Sequence, residues 1–122
     1  GGIANITLLH CVSSYPCNLD IVNLPRIDKL RELSPSVGFS DHTKGVDVSI
    51  LSLGYDLDFI EKHFTIDNDL PGRDNKFAIL PDELKTLSKY IKISNEVMTN
   101  KGYDFQECEL DSRKIYSGRW NG

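Results

Sequence analysis

The sequence predicts an α/β fold on a parallel sheet, with about three strand-then-helix units. Three observations lead there. Short apolar runs containing "ITLL", "VGF" and "LDFI" stand apart along the chain. Between and after them, apolar residues recur at helical spacing. The resulting order is β-α-β-α-β-α, and the strands are near-continuously apolar, as strands of a parallel sheet covered on both faces are.

Each element has its own local reason. "NITLLH", Asn5 to His10, is a β-branched apolar run closed by the polar turn "SSYPCN", and reads as the first strand. Leu24, Ile27, Leu30 and Leu33 then recur every third position. They predict a helix with Asn23 as N-cap, Pro25 in its first turn and Ser34-Pro35 as its stop. "VGFS", Val37 to Ser40, is the second strand, followed by the loop "SDHTKG". Val46, Ile50 and Leu53 line one face of a short helix, with Gly54 as the residue that closes it. "LDFIEKHF", Leu57 to Phe64, is the third strand. A long loop containing "LPGRDNK" leads to Pro81-Asp82-Glu83, a helix start with acid in its first turn. Leu84, Leu87, Ile91 and Met98 form the apolar face of that helix, and Gly102 ends it. One more helical turn is expected around "LDSRKIY", Leu110 to Tyr116.

Composition sets the outer bounds. The chain has 122 residues, of which 39% are hydrophobic and 26% charged, as in a soluble domain with a modest core. A net charge of −4 leaves no basic footprint for nucleic acid. No run approaches the ~20 apolar residues of a membrane span, and "ITLL" is too short for a secretory signal. Cys11, Cys17 and Cys108 are an odd number in no metal-binding spacing. They read as free thiols of a reducing, cytoplasmic location, with a Cys11–Cys17 pair as the alternative. The chain opens on "GG" without methionine and enters a strand-like run almost at once, so a piece of a longer polypeptide is expected.

In parallel sheets with crossover helices, ligands sit at the carboxyl ends of the strands. "SSYP", "SDHT" and "HFT" through "PGRD" all fall there. Strand parity turns Ser40 and His42 the same way, and likewise Phe59, Glu61 and His63. Two imidazoles from neighbouring strand ends can converge on one cation, with carboxylates, water or substrate oxygens completing the site. Spacing alone matches no local metal motif, and a strand-end histidine is more often hydrogen-bonded to a neighbour. Asp41 either orients a ring or caps the next helix. Asp74 is either a solvated loop acid or an acceptor for substrate hydroxyls. Tyr15 either stacks on a ligand or packs at the rim, and Ser13 and Ser14 either bind an anion or shape a turn. Lys85, Lys89 and Lys92 form a solvated helix face. Three strands cannot close a barrel, since eight need roughly 250 residues. The chain is thus a small open sheet or the last portion of a barrel.

Taken together, "LLHCVSSYP", "VGFSDHT", "IEKHFT" and "DNDLPGRDNK" followed by "LPDELKTL" resemble, in this order, the sialic acid synthase (N-acetylneuraminate synthase) family. The resemblance runs from Ile6 to about Leu87, with a weaker echo in "DSRKIY". It implies a (β/α)8 barrel, of which residues 1–122 would be one C-terminal segment, about the sixth to eighth βα units. The small antifreeze-like domain that follows the barrel in this family would be absent. The implied reaction condenses phosphoenolpyruvate with an N-acetylated amino sugar, N-acetylmannosamine-like, to a nine-carbon sialic-type acid. It uses a divalent cation, commonly manganese, with magnesium as the alternative. The resemblance implies His42 and His63 as catalytic metal ligands, Ser40 as a contact to the phosphate of phosphoenolpyruvate, and Tyr15 and Asp74 as contacts to the sugar. Ser13 falls where some members carry an asparagine near phosphoenolpyruvate. Arg73 stands where proline is usual and Asn75 where histidine is common, which bears on the sugar used. The lysines that hold phosphoenolpyruvate, and an arginine from the antifreeze-like domain, have no counterpart here, so this segment alone is expected to be inactive. Rival readings are a non-catalytic half-barrel binding module and another phosphoenolpyruvate-dependent keto-sugar-acid synthase. Open strand edges also predict a homo-oligomer.

Overall fold

The computed structural model describes residues 5–110 and builds them around one three-stranded parallel sheet. Strand β1 (Leu8–Cys11) is followed by helix α1 (Arg26–Leu33), β2 (Val37–Asp41), α2 (Asp47–Ser52), β3 (Phe59–Lys62) and α3 (Pro81–Val97). The sheet order is β1-β2-β3, and both pairings are parallel. The α/β alternation read from the sequence is the observed one.

The register divides the sheet into two unlike faces. His10, Phe39 and Ile60 form one row, with Val37 below and Asp41 and Lys62 above, all on the face toward the helices. There the core assembles: Val37 and Phe39 pack with Val22, Ile27, Cys17 and Val48. A smaller cluster of Val46, Ile79 and Leu87 joins the start of α2 to α3. The opposite face carries Leu9, Gly38 and Phe59 in one row and Cys11, Ser40 and Glu61 in the next. Leu9 is 42% exposed on that face and Phe59 60%. The outer strands β1 and β3, expected to be covered on both faces, are therefore exposed on this one, while β2 between them is buried throughout. Gly38 explains the closeness of its neighbours: a Cβ there would stand 2.5 Å from Leu9 Cδ2 and 2.7 Å from the Phe59 carbonyl oxygen.

His10, within β1, lies in the core. Its Nε2 donates to the Val22 carbonyl at 2.7 Å, and its ring stacks on Phe39 at 5.7 Å between centroids. This bond ties the long β1–α1 loop back to the strand.

Several boundaries differ from the sequence reading. The first strand runs over Leu8–Cys11 and the third over Phe59–Lys62, because only these residues pair with β2. Phe64 instead forms an isolated parallel bridge with Ile79. Asn23 is not the N-cap of α1: it adopts the left-handed conformation (φ 51°), which asparagine tolerates, and Pro25 takes the cap position. Gly54 does not close α2. The helix tightens into a 3-10 turn over Leu53–Tyr55, and Asp56 is the left-handed residue (φ 55°). Helix α3 begins at Pro81 as expected, and Glu83 Oε1 accepts the Leu80 N–H at 3.0 Å. It ends at Val97, before Gly102. Of the expected turn around Leu110 to Tyr116, only Leu110 is described, as the last residue of a helical stretch over residues 107–110, and the rest lies outside the described residues. Among the described residues, no helix is long and apolar enough to cross a membrane.

Candidate active site

The register sets the site. Asp41 pairs with Lys62 as the last step of the β2–β3 ladder, so His42 and His63 leave the sheet side by side. Their ring centroids are 5.7 Å apart, with planes inclined at 60°. Tyr15, on the β1–α1 loop, lies against both: its ring is 5.5 Å from that of His42 and 4.7 Å from that of His63. The Tyr15 hydroxyl donates to the Asp74 carbonyl at 2.9 Å. Asp74 Oδ2 is 3.9 Å from His63 Nδ1. Burial raises the Tyr15 pKa above its ordinary value, and the Asp74 carboxylate adds to the rise.

Thus four of the six site residues read from the sequence, Tyr15, His42, His63 and Asp74, meet in one cluster. Ser40 is buried one parity step below His42, and its hydroxyl donates to the Glu61 carboxylate at 2.8 Å. Ser13 stands exposed in the turn after β1, outside this set of contacts.

Other neighbours escaped the sequence reading. Cys11 Sγ lies 3.6 Å from His42 Nε2, and only the register Cys11 to Ser40 could have placed it there. Phe77 meets the Tyr15 ring edge-on at 6.1 Å, with the Lys44 ammonium 4.8 Å over its own ring. Asp41 makes no hydrogen bond to an imidazole and does not cap α2, whose N-cap is Val46. Its side chain points to the helix face, accepting from Thr43 N (2.8 Å), Thr43 Oγ1 (2.6 Å) and Ser49 Oγ (2.5 Å). The Lys62 ammonium lies 3.3 Å from Asp41 Oδ2. Among the described residues, no three histidine, cysteine or acidic side chains stand together as a complete metal site.

The model of the NeuB family matches residues 1–103. This chain belongs to the NeuB family. It is 40% identical over 95 residues to the N,N'-diacetyllegionaminic acid synthase of Campylobacter jejuni, covering 77% of this chain and 28% of that protein. It is 42% identical over 111 residues to the synthase of the same name from Legionella pneumophila, covering 90% and 31%. In structure it is similar to the N-acetylneuraminic acid synthetase of Leptospira borgpetersenii, crystallised with citrate. The TM-score is 0.78 at 32% identity, over 91% of this chain and 39% of that one. This NeuB-family chain therefore spans about three tenths of the length of the curated relatives it matches. Its three βα units form part of a TIM-barrel sheet, and the relatives it matches include legionaminic acid and pseudaminic acid synthases.

Proposed function

We propose that this chain supplies the metal-binding and sugar-facing part of a cytoplasmic synthase. The reaction is condensation of phosphoenolpyruvate with an N-acetylated amino sugar to a nine-carbon sialic-type acid. One observation carries the reading: the imidazoles of His42 and His63 stand 5.7 Å apart beneath Tyr15, with the Asp74 carboxylate beside His63.

The donors fit a divalent cation with open positions. Two imidazoles bind it, and water, substrate oxygens or Asp74 complete the shell. A mixed nitrogen and oxygen set suits manganese better than magnesium, which prefers oxygen and sheds water reluctantly. Bound there, the cation supplies Lewis-acid polarisation of the sugar carbonyl oxygen. The residues have their own tasks. His42 and His63 ligate through neutral ring nitrogens. The Tyr15 ring packs against both imidazoles, and its hydroxyl holds the Asp74 backbone so that the carboxylate can accept from sugar hydroxyls.

Ser40 is the proposed contact to the phosphate, yet its present partner is an anion, Glu61. A phosphate placed there is repelled unless cations arrive from elsewhere. Each missing electrostatic donor can cost on the order of 10²–10³ in rate. For the isolated chain this favours binding without turnover. The uncovered face bearing Leu9 and Phe59 is proposed to be covered by a second copy, since β1 and β3 are both sheet edges.

Metal titration tests the site. Saturable Mn2+ binding by the chain, lost in His42→Ala and in His63→Ala, is the expected result. Equal binding by wild type and both variants sinks it.

A further inference from the structure

We infer that the buried pair Asp41–Lys62 is the positioning element that sets the separation of the His42 and His63 rings. This rests on the metal-site reading for its purpose, but on geometry for its substance.

The two charged residues immediately precede the two histidines, and they are cross-strand partners in the ladder. Parity sends their side chains to the helix face while the imidazoles leave toward the other. On the helix face the pair is almost sealed, with side-chain exposures of 6% for Lys62 and 0% for Asp41. Lys62 does more than neutralise a carboxylate. Its ammonium lies 3.3 Å from Asp41 Oδ2 and donates to the Thr43 carbonyl at 2.6 Å. It therefore holds the two residues that flank His42, Asp41 by its carboxylate and Thr43 by its backbone carbonyl, and the residue after Lys62 is His63. The remaining lone pairs of Asp41 are taken by Thr43 and by Ser49 of α2. The His42 carbonyl accepts from Cys17 N at 2.7 Å, which adds the Tyr15-bearing loop to the same assembly.

Stability alone gives no reason for such a pair. A neutral pair of similar volume is often as stable as a buried ion pair, because desolvation offsets the attraction. A fully satisfied polar network does rigidify what it touches. Here it touches the two strand ends that carry the imidazoles.

The test uses the 122-residue chain as wild type, Lys62→Arg, Lys62→Met, Asp41→Asn and the double variant Asp41→Asn/Lys62→Met. The double variant leaves no unpaired buried charge, so it retains the fold if the single ones do not. The first readout is metal-free: proton NOEs among the rings of Tyr15, His42 and His63, with the His10–Phe39 stack as a control for the core. Wild type and Lys62→Arg are expected to show the cross-ring contacts. The double variant is expected to keep the His10–Phe39 contact and lose those between His42 and His63. The second readout is Mn2+ affinity, expected to weaken roughly 10–100-fold in the double variant, the range for residues that orient metal ligands. Cross-ring contacts that persist unchanged in the double variant overturn the positioning role. A wild type with intact ring contacts and no Mn2+ binding instead overturns the metal site, while the NOE comparison still decides the positioning.

Discussion

The Tyr15 hydroxyl donates to the Asp74 carbonyl at 2.9 Å, joining two loops that lie 59 residues apart in the chain. This contact closes one side of the histidine pair. It also makes Tyr15 a reporter of the site.

Tyr15→Phe is expected to release the Asp74 loop, with faster amide exchange over residues 67–75 and little change in β2. A pH effect accompanies it. The folded pKa of Tyr15 lies above its ordinary value of 10.0, so between the two the folded chain holds a proton that the unfolded chain has lost. The stabilisation is complete below the ordinary value and falls away as pH rises toward the folded one. Unfolding curves from about pH 9 to 11 should show that decline in wild type. They should show less of it in Tyr15→Phe.

Gly38→Ala is expected to destabilise the chain by about 1–3 kcal/mol, the range for overpacking. Leu9 can rotate away from the added methyl, but the Phe59 carbonyl is backbone and can yield only if β3 shifts. Urea unfolding with a lowered midpoint and an unchanged slope would be the result. A midpoint equal to wild type would show that β3 moves freely.

Ser40→Ala and Glu61→Gln separate structure from ligand contact. Losing the Ser40 hydroxyl costs about 0.5–1.5 kcal/mol, because Glu61 is exposed and water replaces the bond. Glu61→Gln removes the anion beside Ser40, and it should strengthen binding of phosphoenolpyruvate. Shifts of the Ser40 amide during a phosphoenolpyruvate titration measure both. Weaker binding in Glu61→Gln would remove Ser40 from the phosphate site.

Self-association is expected to grow with concentration in sedimentation experiments. Leu9→Ser combined with Phe59→Ser should shift the chain toward monomer while leaving the core around Phe39 intact, since these side chains lie on opposite faces. A compact wild-type monomer at all concentrations would exclude a second copy on that face.

Local chemistry explains which parts were legible in the sequence. Val37 to Ser40 could be read as a strand because an apolar run between turn signals has few other uses, and all five residues of β2 are buried. Pro81 and Glu83 announced α3 because a proline at the first helical position and an acid in the first turn satisfy the backbone locally. The parity of Ser40 and His42, and of Glu61 and His63, followed from the pleat alone. That was enough to expect two imidazoles on one side of the sheet. Asn23 and Gly54 were misjudged because packing of the loops selects which residue turns left-handed: Asn23 does so instead of capping α1, and Asp56 does so instead of Gly54.

The sequence by itself determined the order of elements, the residue types at each strand end and the side of the sheet on which each would emerge. Those are properties of one segment and its period. Which strand ends are neighbours is a property of pairs of segments, and only the tertiary structure decided it. The ladder set Asp41 opposite Lys62 and so brought His42 beside His63. It also set Cys11 opposite Ser40, and packing folded Tyr15 over the rings. Hydrogen-bond register and burial are non-local, so no spacing within "SDHT" or "EKHF" could have shown that Asp41 and Lys62 form a buried pair next to the two histidines.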